Sequence, residues 1–268
     1  MAKVDLTASP LWYFDNENKD EEHCILFIHG NSIDCGIFNP LLEMNYFQNF
    51  RLLAPDLPGH GKTGSLDVEN YTINSLVNIL EEFTIGLNVQ SLIIIGHSLG
   101  GHIGIRLAHR QKSVLKGLII SGTPPLGSRE DMQKGFNPHP QIGLAYKSDL
   151  SQAEARSLAE AYSPEITSIL AQMIMNTDGE FRSTLLNDLM TCEWVNEVEF
   201  IQNLGIIPAI INGAEDPFIN TEYIEGLNLR LFEDGIIQIE AAGHCGIYTH
   251  AESFKTKIAE YVNTLTLF

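Results

Sequence analysis

Short apolar segments recur along the chain, and amphipathic segments separate most of them. The apolar segments are nearly continuous rather than alternating, which is typical of strands buried on both faces of a parallel sheet. The segments predicted as strands are 24–28, 51–54, 92–95, 117–121, 206–211 and 236–241. Apolar residues three and four apart over 73–83 and 254–262 predict helices. This alternation predicts a doubly wound α/β fold, with helices on both faces of a mostly parallel sheet.

The alternation of strands and helices stops between residues 123 and 202. In this stretch the segments 151–162, 165–175 and 180–190 have helical character, and no strand is clear. Such an insertion between two strands predicts a helical cap over the carboxyl ends of the strands, where α/β sheets bind ligands. We therefore expect an α/β core formed by residues 1–122 and 203–268, with residues 123–202 as the cap.

Composition limits the partners and the compartment of the protein. The chain has 268 residues, of which 44% are hydrophobic, so it can bury a substantial core. Its net charge of −18, with no cluster of Lys or Arg, argues against nucleic acid and membrane surfaces as partners. The four cysteines form no C-x-x-C pair, and no secretory signal or membrane span is apparent. We expect a cytoplasmic protein with reduced thiols; the sequence predicts no oligomeric state.

A candidate nucleophile follows the strand 92–95 directly. Gly96-His97-Ser98-Leu99-Gly100 has the G-x-S-x-G form of a nucleophile elbow, in which a strand turns sharply into a helix. The glycines suit this turn because side chains there would collide and because the backbone angles are strained. A helical apolar pattern follows the pentapeptide. The context therefore predicts Ser98 as a nucleophile.

Serine needs a base, and the base needs an acid that orients it. His244 follows the last predicted strand between two glycines, and Asp216 follows the strand before it, so the chain order is Ser, acid, His. Glu215 is the alternative acid. We favour Asp216 because the following Pro217 promotes an extended backbone at that position.

Two backbone N–H groups are expected to bind the oxyanion of the reaction. One belongs to Leu99, which follows the nucleophile and opens a helix. The other is assigned to Asn31, in the loop after strand 24–28. No metal-ligand spacing appears among the histidines and cysteines, so neither a metal nor another cofactor is expected.

Four motifs in this order resemble the α/β-hydrolase superfamily; they lie at residues 28–32, 54–63, 96–101 and 243–244. Residues 29–32, 101–105, 122–125 and 212–218 are also similar to the α/β-hydrolase-type N-acyl homoserine lactonases. That resemblance implies metal-independent opening of the lactone ring of bacterial signals. It also implies an apolar groove for the acyl chain, for which Phe136 and Phe218 are the candidate residues.

The sequence thus predicts a serine hydrolase with a Ser98–His244–Asp216 triad that acts on a small uncharged ester or lactone, with N-acyl homoserine lactone as the leading substrate. A carboxylesterase or thioesterase is the alternative within enzymes. A ligand-sensing protein with slow turnover is the alternative outside them.

Overall fold

A computed structural model describes residues 1–43, 45–47 and 49–265. The strands are β1 (Ala2–Asp5), β2 (Pro10–Asp15), β3 (His23–Ile28), β4 (Arg51–Pro55), β5 (Ser91–His97), β6 (Leu115–Ser121), β7 (Ala209–Gly213) and β8 (Ile236–Ile239). The α-helices are α1 (Asn39–Leu42), α2 (Ile73–Gly86), α3 (Leu99–Arg110), α4 (Met132–Gly135), α5 (Gln152–Tyr162), α6 (Thr167–Asn176), α7 (Gly179–Thr191), α8 (Glu197–Gln202), α9 (Thr221–Gly226), α10 (Gly246–Thr249) and α11 (Ala251–Thr264). Short 3₁₀ helices span Cys35–Phe38, Asn45–Phe47, Val68–Tyr71, Arg129–Asp131, Ile142–Tyr146, Pro164–Ile166 and Phe232–Asp234.

Within the described residues the strands form one eight-stranded sheet in the order β1-β2-β4-β3-β5-β6-β7-β8. The pairs β1–β2 and β2–β4 are antiparallel, and all other neighbours are parallel. Every residue of β3, β4 and β5 is buried, because helices cover both faces of the sheet. The mostly parallel sheet predicted from the sequence is therefore confirmed.

The first two strands are an addition that the sequence pattern did not predict. The burial of β1 alternates, since its second and fourth residues are exposed, and β2 begins with an exposed proline. A search for continuous apolar runs overlooks such half-exposed antiparallel strands.

Two predicted strands near the C-terminus are shorter than expected. β7 starts at Ala209 rather than at residue 206, directly after Pro208, which has no N–H for a sheet ladder. β8 ends at Ile239, because Ala241 has φ = 58°, a left-handed conformation that does not continue a strand. Each strand still ends immediately before its candidate catalytic loop.

Between β6 and β7 the described chain is built from helices, including α5, α6 and α7. Its helix α7 is held to the core by side chains. The Tyr71 hydroxyl donates to Asp178 Oδ2 over 2.6 Å, and the Ile73 N–H donates to Asp188 Oδ2 over 2.9 Å. These contacts hold α7 to the core, and the helices between β6 and β7 are called the roof below. No described helix is both long and apolar enough to cross a membrane.

Candidate active site

Ser98 lies in a strained turn between β5 and α3. Its φ of 54° and ψ of −121° are unusual for a residue with a side chain. Two glycines make the turn possible: a Cβ on Gly96 would lie 2.3 Å from the Gly100 carbonyl oxygen, and a Cβ on Gly100 would lie 2.0 Å from the Ile28 oxygen. Thr123 Oγ1 donates to the Ser98 carbonyl over 2.8 Å. The backbone strain that the pentapeptide predicts is therefore present, and the loop after β6 stabilises the strained turn.

His244 and Asp216 form a buried pair beside this turn. The His244 Nδ1 and Asp216 Oδ2 atoms are 2.7 Å apart, and the two side chains are 5% and 3% exposed. The second oxygen, Asp216 Oδ1, accepts from the Phe218 N–H over 2.9 Å. Glu215, the alternative acid, is exposed. The loop geometry therefore brings Asp216, and not its neighbour, to the imidazole.

The loop after β3 lies against the nucleophile. A Cβ on Gly30 would come within 2.9 Å of Ser98 Cβ, so only glycine lets the loop approach this closely. The Asn31 side chain donates to the Ala145 carbonyl over 2.7 Å and accepts from the Ser32 hydroxyl over 2.9 Å. These bonds fix the Asn31 backbone beside Ser98. Within the described residues its N–H has no acceptor, as expected of an oxyanion donor.

Two buried histidines support the loops beside the site. His29 Nε2 accepts from the Leu57 N–H over 2.9 Å, and His60 Nε2 accepts from the Ser32 N–H over 3.0 Å. The opposite nitrogen of each ring lies 2.8 Å and 2.9 Å from a nearby carbonyl oxygen. Burial lowers the pKa of His29, His60 and His97, so these rings are neutral at pH 7. His29 and His60 therefore hold the loops in place.

A cavity joins most of the predicted site residues. Ser98 and His244 line it beneath the roof of helices. The other predicted residues in its wall are Asn31, Leu99, Phe136 and Phe218. Most of the remaining wall is apolar, with contributions from Ile73, Leu126, Met132, Ile142, Leu185 and Leu189. The cavity therefore suits an uncharged molecule with an apolar chain. In the part of the chain that the structure describes, no cluster of His, Cys, Asp or Glu could hold a metal ion.

The sequence profile of the α/β hydrolase fold family matches residues 24–178. This chain belongs to the α/β-hydrolase family. Among solved structures, the N-acyl homoserine lactonase AidH complexed with N-butanoyl homoserine superposes with a TM-score of 0.92 at 27% identity, over 100% of this chain and 97% of that one. A putative aryl esterase from Burkholderia cenocepacia superposes with a TM-score of 0.79 at 17% identity, over 98% and 97%, and shows the fold alone.

The curated relatives match this α/β hydrolase over a smaller share of the chain. A putative non-heme haloperoxidase of Mycobacterium phage D29 is 22% identical over 86% of this chain and 78% of its own length. A 2-succinyl-6-hydroxy-2,4-cyclohexadiene-1-carboxylate synthase of Shigella dysenteriae is 29% identical, over 38% of each chain. The family thus includes relatives of different chemistry.

One polar group in the cavity wall of this α/β hydrolase was missed by the sequence analysis, which assigned no role to His102. His102 and Arg106 on α3 both contact Glu197 on α8, and all three residues line the cavity. Their signal in the sequence is the spacing of four residues from Ser98 to His102 and again to Arg106, which places them along one face of a helix. Glu197 has no comparable signal, because it lies 95 residues away from His102.

Proposed function

We propose that this α/β hydrolase is a serine hydrolase that opens N-acyl homoserine lactones. The observation that carries the proposal is the shared cavity, which the strained Ser98 lines together with His244, the partner of Asp216 in a hydrogen bond. In this proposal Ser98 is the nucleophile, His244 the general base and Asp216 the group that orients it. The backbone N–H groups of Asn31 and Leu99 receive the oxyanion.

The first half of the reaction forms an acyl-enzyme. Ser98 Oγ attacks the lactone carbonyl carbon while His244 Nε2 takes the hydroxyl proton. Asp216 holds the proton on Nδ1, so that Nε2 is free to accept. The carbonyl oxygen becomes an oxyanion, which the N–H groups of Asn31 and Leu99 stabilise. When the intermediate collapses, the ring C–O bond breaks and His244 gives its proton to the leaving alkoxide.

The second half consumes one water molecule. His244 removes a proton from water, the resulting hydroxide attacks the acyl carbon, and the bond to Ser98 Oγ breaks. Ser98 regains its proton from His244, and the N-acyl homoserine leaves with its ring open. The product is a carboxylate, which the apolar wall of the cavity disfavours, so its charge promotes release.

The choice of a lactone rests on two supports. A lactonase aligns with the whole chain at 27% identity, whereas the esterase neighbour is only 17% identical. The cavity is also mostly apolar, as a neutral lactone with an acyl chain requires. A carboxylesterase is the second candidate, because the same triad would act on an open-chain ester.

The test is a hydrolysis panel with the wild type and Ser98→Ala. N-butanoyl and N-hexanoyl homoserine lactone are compared with p-nitrophenyl butanoate and a butanoyl thioester, and lactone opening is followed by chromatography of the ring-opened acid. We expect lactone opening with the highest kcat/KM and a loss of at least about 10³-fold in Ser98→Ala. Ester turnover without lactone opening would leave only the carboxylesterase.

A matched control is Ser121→Ala, which removes a buried hydroxyl at the end of β6 rather than at the turn. Full activity that persists in Ser98→Ala would refute the serine mechanism. A loss of equal size in both variants would show that folding, and not the nucleophile, was lost.

The proposed compartment is the cytoplasm. All four cysteines are free thiols, and three of them are buried. Burial raises the pKa of the Cys24 thiol to about 12, so it stays protonated and inert. Free, unreactive thiols suit a reducing compartment. Ring opening there would inactivate a bacterial acylated signal after it enters the cell.

A further inference from the structure

A second polar group in the cavity wall is formed by His102 and Arg106 of α3 and by Glu197 of α8. Its centre is Glu197, which is only 1% exposed. His102 Nδ1 lies 2.8 Å from Glu197 Oε2, and Arg106 Nε donates to Oε1 over 3.1 Å. Burial raises the pKa of Glu197, but the neighbouring His102, its hydrogen bond and Arg106 more than offset this and leave the pKa below its ordinary value. Glu197 is therefore an ionised acceptor.

This arrangement fixes the His102 ring and leaves one nitrogen for a ligand. With Nδ1–H donating to the carboxylate, Nε2 of a neutral imidazole is a hydrogen-bond acceptor. Within the described part of the chain, Nε2 makes no hydrogen bond to another protein atom. It is also not one of the fully buried nitrogen and oxygen atoms that lack a hydrogen bond, so it is accessible from outside the protein interior. His102 lines the cavity in which the substrate would lie, and Nε2 is the ring nitrogen left free to meet it.

The position of His102 relative to the nucleophile limits what can reach Nε2. His102 follows Ser98 by four residues, which is about 6 Å along a helix axis. Side chains on a helix lean toward its N-terminus, so the imidazole leans back toward Ser98. A donor only a few bonds from the attacked carbonyl therefore meets this acceptor, whereas the end of a long acyl chain lies beyond it.

We propose that His102 is a specificity-determining residue whose Nε2 accepts a hydrogen bond from an amide N–H two bonds from the attacked carbonyl carbon. An acylamino group next to the carbonyl has this chemistry, and N-acyl homoserine lactones carry it. The inference rests on the proposed function in its choice of lactone. It goes further by stating why an acylamino lactone is preferred over a plain alkyl lactone.

The competing explanation is that His102 only joins α3 to α8 through Glu197. Two variants separate the roles, because the amide of Asn occupies about the place of imidazole Nδ1 and the amide of Gln that of Nε2. His102→Asn keeps a donor for Glu197 and removes the acceptor in the cavity. His102→Gln does the reverse. His109→Gln is the matched control, since His109 lies on the same helix outside this cavity and stacks on Phe200.

The assay compares N-hexanoyl homoserine lactone with its analogue in which CH₂ replaces the N–H. The measured quantity is the ratio of their kcat/KM values within each variant, so a general loss of folding cancels. We expect a ratio of about 10 in the wild type and in His109→Gln, since a buried hydrogen bond contributes about this much. The ratio should fall to about 1 in His102→Asn and stay intermediate in His102→Gln. An unchanged ratio in His102→Asn would overturn the proposal.

A failure of the lactonase function is distinguishable from a failure of this inference. If the wild type opens neither lactone but cleaves activated esters, the comparison moves to p-nitrophenyl N-hexanoylglycinate and p-nitrophenyl nonanoate. These esters have equal chain length, and only the first has an N–H two bonds from the attacked carbonyl carbon. The His102→Asn variant should again remove the preference for the amide. If the wild type shows no such preference in either pair, His102 is structural only.

Discussion

Replacing Asp216 by Asn tests the acid assignment, because the structure dictates how the new amide would lie. In the wild type, Asp216 Oδ1 accepts from the Phe218 N–H, and Oδ2 accepts from His244 Nδ1. In Asp216→Asn the Phe218 N–H keeps the amide oxygen on its own side. The amide NH₂ then faces His244 Nδ1 and forces that nitrogen to become an acceptor. The imidazole proton moves to Nε2, which can no longer take a proton from Ser98.

The size of the effect follows from this tautomer change. The opposite rotamer would set two donors, the amide NH₂ and the Phe218 N–H, against each other, so it offers no escape. The wrong tautomer in a serine triad lowers kcat by about 10⁴, which corresponds to about 5.4 kcal/mol in the activation free energy. Folding should change little, since the amide has nearly the shape of the carboxylate. Glu215→Gln should alter kcat by less than about twofold, because Glu215 is exposed and a surface substitution is usually nearly neutral.

The assay is the turnover of p-nitrophenyl butanoate, or of the best lactone, by wild type, Asp216→Asn and Glu215→Gln. Thermal melting of all three variants confirms that they are folded. KM should be nearly unchanged in Asp216→Asn, because the substrate does not touch this carboxylate. If Glu215→Gln lost more activity than Asp216→Asn, the acid would be Glu215 and the loop would rearrange in the working enzyme.

Three further predictions concern the support of the site. Gly122→Ala should lower kcat by at least about tenfold, because the new Cβ would lie 2.9 Å from His244 Cε1. The control is Gly205→Ala, because Gly205 also has a positive φ but has open space around it. This control should lower only the stability, by about 1 kcal/mol in thermal melting. Arg182→Met should lower the free energy of unfolding by about 3 kcal/mol in urea titrations, since the buried guanidinium donates to four backbone carbonyls; an unchanged midpoint would contradict this. Glu197→Gln should lower the melting temperature at pH 7. The difference in melting temperature from the wild type should shrink as the pH falls through the lowered pKa of Glu197, because the wild-type carboxylate then takes up a proton. A difference that does not depend on pH would refute the ion-pair argument.

Local patterns predicted the core of the fold because buried parallel strands are continuous apolar runs. Strands β3 to β6 begin and end within two residues of their predicted bounds. The strained turn at Ser98 was equally predictable from the sequence. Its glycines are required because a Cβ at either position would make a contact of 2.0 Å or 2.3 Å. The choice between Glu215 and Asp216 stayed open in the sequence. It depends on which carboxylate the β7 loop turns inward, and that is set by the Phe218 N–H and by the packing of the next loop.

The cavity wall marks the boundary of what local patterns can predict. The spacing of Ser98, His102 and Arg106 places three side chains on one helical face, but the same spacing occurs on any amphipathic helix. The spacing acquires a role only through Glu197, which lies on a separate helix. Glu197 fixes the imidazole of His102 by one hydrogen bond. The pairing of His102 with Glu197 results from tertiary packing, so no local sequence pattern predicts it. The elbow motif therefore predicts which bond is attacked. Which substrate group is recognised beside that bond depends on the side chain of the roof that packs against α3.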